Sequence, residues 1–237
     1  MLATHHSRKC HFIFALAVLV VSIRSVAANP RREDLQPVLD SAALRAAEEL
    51  PHTMAVAKLV IRDSSLQPNK LADCLAEIDA TEKDLTIRYQ AVKHGKPATM
   101  DIARPDNLIL GVFASNVADP DEVKLVSMQF ILEMKLSSPR YLDYSRSPTA
   151  EMRQLVAIAR PDDEPKKLIN ASFAHFDEAA APLLKILQAA KKSDGPDSEV
   201  QGAFAKYVLL SRKTWLDVRT MLTKDQRRAI VAGSGMK

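Results

Sequence analysis

The side chains that could do chemistry are few and scattered along this chain. Beyond the first 28 residues there are three histidines, His52, His94 and His175, each alone in the sequence. "HFDE", His175 to Glu178, offers an imidazole and two carboxylates, but His175 and Asp177 lie two apart. On a helix that spacing sends them to different faces. HExxH, CxxC, GxSxG and a glycine-rich phosphate loop are all absent. No pair of soft ligands stands at the spacing a metal requires, so neither a metal nor another cofactor is expected. The sequence supplies no catalytic set, although groups distant in sequence can converge in a fold. Two cysteines occur, Cys10 and Cys74, and Cys74 between Leu71 and Leu75 reads as a buried, inert thiol.

The spacing that stands out is in "MLTKDQRRAI", residues 221 to 230, where Thr223 and Gln226 are three apart. The Thr223 hydroxyl can accept the Gln226 N–H while the Gln226 amide oxygen accepts the Thr223 N–H, a capping box. One helix then closes at Leu222 and another starts at Thr223; losing such a cap costs about 1 kcal/mol. The same residues, Leu222, Thr223, Gln226 and Arg227, resemble the LTxxQ motif of the Spy/CpxP family of periplasmic proteins. The resemblance implies an ATP-independent chaperone or envelope-stress accessory, built of long helices in a dimeric cradle that holds partly folded clients. On that basis Trp215, Arg219 and Arg228 become candidate client contacts. The alternative is a secreted helical effector or interaction protein without catalytic activity. Under either reading the partners are proteins.

The start of the chain fits export. Arg8 and Lys9 precede an apolar run from Phe12 to Ile23, followed by "RSVAANP" with small residues Val26 and Ala28 at a cleavage position. That order marks a secretory signal peptide over residues 1–28, with cleavage after Ala28 or Ala27. The run is shorter than the roughly 20 residues needed to span a bilayer, and a periplasmic or secreted product is expected. Cleavage removes three of 33 basic residues and none of the 29 acidic ones, so the formal charge falls from +4 to +1. A near-neutral surface gives no footprint for nucleic acid. The arginine clusters at 31–32 and at 219, 227 and 228 read as solvated faces.

The elements that must position these residues read as helices throughout: an all-α, multi-helix bundle of six to eight helices over residues 29–237. Only six glycines occur in 237 residues, with abundant Ala, Leu, Lys and Glu, which disfavours a turn-rich β fold. Leu35 to Leu50 carries apolar residues at three- and four-residue steps, with Pro51 kinking or ending the helix. "MAVAKLVIRD", residues 54–63, is read as helix, though a short apolar run has no decisive period. Leu71 to Val92 gives one helix, or two joined near Thr81, stopped at Gly95. Asp119 as N-cap with Pro120 behind it opens another. "SSPRYLDYSRSP" is a loop; Arg140, Tyr141, Tyr144 and Arg146 could offer a ligand surface, but an ordinary polar connection is the simpler reading. Thr149 to Arg160 reads as a short helix. A longer one opens at Pro165, with Pro182 as a kink and an internal boundary near 191–198. Its "NAS" at Asn170 fits a glycosylation sequon, placed mid-helix. From Val200 to Leu222 the heptad steps predict a helix of about 36 Å.

Overall fold

A computed structural model describes residues 32–138, 148–190 and 198–234. The expected signal peptide and the connections at 139–147 and 191–197, with Arg140, Tyr141, Tyr144 and Arg146, lie outside the described residues. Within them the protein is all-α, with nine helices and no strand. In chain order these are α1 (Arg32–Arg62), α2 (Pro68–Lys93), α3 (Met100–Ala103), α4 (Pro105–Asn116) and α5 (Pro120–Ser137). They are followed by α6 (Pro148–Ala159), α7 (Asp163–Ala190), α8 (Ser198–Thr220) and α9 (Lys224–Gly233). None is long and apolar enough to cross a membrane.

Local chemistry explains several of the ends. The Asp119 carboxylate accepts the Asp121 N–H at 3.0 Å with Pro120 at the first helical position, which satisfies one of the orphan donors of the first turn. Gly95 takes a φ of +85° just past α2, a conformation glycine adopts without steric cost. Pro51 does not end α1: the helix runs on through Pro37 and Pro51. Likewise α2 is continuous through Thr81. Helices α3 and α4 lie between the stretches whose apolar spacing predicts helix.

The core has two main bodies joined by α5. Val126, Phe130 and Met134, four residues apart, face a first core with α1, α2, α3 and α4. There Phe130 meets Phe113 edge-to-face at 5.9 Å. Leu132 and Leu136, with the partly buried Leu125 and Met128, face a second core with α6, the start of α7, the end of α8 and α9. A helix with two apolar stripes is buried from both sides, unlike an ordinary amphipathic surface helix. Helices α7 and α8 form an antiparallel pair: Phe173 clusters with Trp215 and Val218, while Leu187 clusters with Ala203 and Tyr207. Helix α9 closes the second core, lying so near α6 that a Cβ on Gly233 would come within 2.6 Å of Ile158 Cγ2. Cys74 is buried, and desolvation pushes its thiol up to about 11, which keeps it protonated and unreactive.

Candidate functional site

Where α1 ends, charged side chains from the turn after it and from α5, α8 and α9 converge. Asp63 accepts two hydrogen bonds from the Arg227 guanidinium, at 2.7 and 2.8 Å, one from Gln129 at 3.0 Å and one from Arg219. Arg219 also donates to Glu133 at 2.9 Å, and Trp215 Nε1 donates to the same carboxylate. Arg228 grips Glu122 with two bonds of 2.7 and 2.8 Å. Lys224 Nζ donates to the Ser64 carbonyl at 2.7 Å. Burial pushes the Asp63 carboxyl up, but the two arginines outweigh it and hold the group below the usual carboxylate range. The Arg228 hydrogen bonds lower Glu122 to about 2. Burial dominates at Glu133, whose pKa is raised against the pull of Arg219 and Trp215.

This arrangement corrects two expectations. Arg219, Arg227 and Arg228 are not a solvated face: Arg219 is 6 % exposed, and all three are bound to acids contributed by other helices. Trp215, 2 % exposed, lies in the second core with its indole N–H already donated. Trp215 and Arg219 are thus buried and engaged inside the fold, and Arg228, partly exposed, has its guanidinium bound to Glu122. A charge that surrendered these partners to reach outward would leave its partner buried and unpaired, at a cost of several kcal/mol.

The motif residues serve the same junction. Thr223 and Gln226 make the expected capping box, with bonds of 3.2 Å and 2.9 Å. Leu222 is buried in the second core. Arg227 donates to the Arg219 carbonyl at 3.2 Å and to that of Leu222, satisfying the open C-terminal end of α8. The stretch therefore stops α8, restarts α9 and ties both to α1. Helix α8 closes at Thr220, two residues before the expected Leu222, and a turn follows at Met221 and Leu222.

The fold also brings His52 and Ser137 together, with Nε2 and Oγ 2.8 Å apart. Ser137 is 1 % exposed and its hydroxyl donates to the Glu133 carbonyl one turn back. It sits in the last turn of α5, where the helix dipole is negative and disfavours a developing alkoxide or oxyanion. Burial, with Arg212 nearby, lowers His52 to about 4. The pair is placed to join α1 to α5 rather than to attack a substrate. Nearby, Arg212 binds Glu49 and the Ser137 carbonyl. His175 is exposed, and Asp177 instead accepts from Thr149 and Arg153. Asn170 lies on the exposed side of α7. Among the described residues no group of acids, histidines and cysteines could hold a metal ion.

What remains open is a groove along the first half of α1. Leu35, Val38, Leu39 and Ala42 form one wall and Met100 and Ala103 the other, around a volume of about 510 Å³. Large apolar side chains stand in solvent here: Val38 is 61 % exposed, Met100 57 % and Leu35 41 %. The walls are fixed from behind, because Tyr89 donates to the Ile102 carbonyl at 2.8 Å and Asp40 accepts the Ala98 N–H at 2.7 Å. At Arg45 the groove meets a second cavity of about 420 Å³ between α1, α4, α5 and α8, lined by Ala46, Glu48, Glu49, Met134 and Phe204. The sequence did not single out these positions. Leu35 and Val38 share the three- and four-residue spacing of the buried residues of α1 and yet stand exposed on its outer side. No protein-family model matches the chain, and no curated protein or solved structure is similar to it.

Proposed function

We propose that this is an exported, non-catalytic helical binding protein that holds apolar segments of other proteins in the α1–α3 groove without nucleotide. The observation that carries the reading is the contiguous exposure of Leu35, Val38 and Met100 on walls braced by the Tyr89–Ile102 and Asp40–Ala98 hydrogen bonds. A rigid apolar groove suits a helix or an extended segment, since it avoids the cost of ordering a loose surface. Exposed apolar patches on an otherwise well-packed protein mark interaction surfaces. The reading keeps the chaperone-like class that the LTxxQ resemblance implies, and moves the client surface from the 215–228 region to α1. Residues 29–237, free of nucleotide, should suppress aggregation of two unrelated unfolding clients at near-stoichiometric ratio. Aggregation unchanged at several-fold excess would refute it.

A further inference from the structure

We infer, on the binding function proposed above, that this groove selects client segments by charge order: an apolar stretch, then an acidic residue, then a basic one. Both walls carry the same succession of side chains along their length. On α1 the apolar Leu35, Val38, Leu39 and Ala42 give way to Arg45 and then, in the adjoining cavity, to Glu48 and Glu49. On the facing wall Met100 and Ala103 give way to Arg104 and then to Asp106. The two charged residues that line the groove itself, Arg45 and Arg104, are both basic and stand at the same end of it.

These charges are within reach of a ligand. Arg45 and Glu48 are exposed, and among the described residues neither has an ion-pair partner. The Arg104 side chain is 44 % exposed and its contact with Asp106 is loose, Nε to Oδ2 at 3.9 Å. Glu49 is already held by Arg212, which leaves Glu48 and Asp106 to meet a cation. From Leu35 to Arg45 the groove extends roughly 15 Å, the length of about five extended residues at roughly 3.3 Å each. Arg45 to Glu48 adds about 4.5 Å along α1, between one and two residues of an extended chain. A segment with the charges in the opposite order would set like charges together on both walls. Complementarity of this kind fixes register and rejects wrong partners more than it adds affinity.

Two peptides of identical composition test the order: Ala-Leu-Val-Leu-Ala followed by Glu-Gly-Lys, or by Lys-Gly-Glu. Both carry an uncharged fluorophore at the N-terminus and an amidated C-terminus, so no terminal charge interferes. They are titrated by anisotropy against the full chain and against residues 29–237. In low salt the Glu-Gly-Lys peptide should bind at least about 5-fold more tightly, since each exposed ion pair contributes up to about 5-fold. The difference should shrink toward equality at about 1 M salt, which screens such contacts. Arg45→Glu with Arg104→Glu should abolish or reverse the preference while circular dichroism stays unchanged. Equal, saturable binding of both peptides would overturn the charge-order inference and leave the proposed function standing, whereas binding of neither would overturn both. A preference retained by the folded double variant would also overturn the inference. Peptide binding lost as protein concentration rises, with a dimer in sedimentation, would assign the groove to a second copy of the chain and overturn it as well. The peptide comparison on the parent protein decides the matter even where the double variant does not fold.

Discussion

Replacing Asp63 by asparagine removes one negative charge from the centre of the junction and keeps the volume. Arg219 then keeps Glu133, while Arg227 loses the carboxylate it is paired with, and Arg228 is committed to Glu122. The Asp63 and Arg219 side chains are each 8 % exposed, so water does little to compensate. Breaking a buried pair by removing one partner costs about 3–5 kcal/mol, and hydrogen bonds to charged groups contribute about 1.5–3 kcal/mol each. We expect Asp63→Asn to lower stability by about 3–5 kcal/mol, a large part of the 5–15 kcal/mol typical of a domain. For a chain of this length the melting temperature should fall by about 6–20 °C. Urea unfolding followed by circular dichroism on residues 29–237 measures the effect. Adding Arg227→Met should recover about 1 kcal/mol or more by removing the stranded cation. A loss under about 1 kcal/mol for the single variant, or no coupling in the pair, would refute the claim that these charges hold the junction together.

The other expectations are smaller. Thr223→Ala with Gln226→Ala should cost about 1–2 kcal/mol in the same unfolding assay, while client protection persists wherever circular dichroism shows the chain folded. Glu122 has a folded pKa depressed to about 2 from 4.5, so its contribution is present above pH 4.5 and is lost as pH falls toward 2; Glu122→Gln should flatten that part of the stability profile. His52 is depressed to about 4 from 6.5, so its stability is complete above pH 6.5 and is lost as pH falls toward 4. His52→Gln should remove that slope between pH 6.5 and 4, seen as a shift in urea midpoint.

The helices were legible because their signals are local. Asp119 and Pro120, Gly95, and the Thr223–Gln226 pair each act within a turn of their own position, and each does what its chemistry requires. Of the two outcomes open at Pro51, a kink or an end, the helix does not end: α1 is packed by Ala46, Leu50, Met54 and Ala57 on either side, and that burial outweighs the loss of one backbone bond. The arginines at 219, 227 and 228 were misread because their partners, Asp63, Glu122 and Glu133, are between 86 and 164 residues away. Nothing in local spacing distinguishes an arginine in water from one that will meet a distant carboxylate. The groove was hidden likewise, since Leu35 and Val38 have the helical period of a core stripe and only the arrangement of α2, α3 and α4 leaves them uncovered.

The groove itself is tested most directly by two charge insertions on its opposite walls. Val38 and Met100 are well exposed, so Val38→Glu with Met100→Glu should leave the fold intact, with an unfolding midpoint within about 0.5 kcal/mol of the parent. Binding of a fluorescently labelled unfolded client to residues 29–237 is then titrated by anisotropy for parent and variant. The account predicts saturable binding by the parent and at least about 10-fold weaker binding by the variant. Equal affinity for the two folded proteins would contradict it.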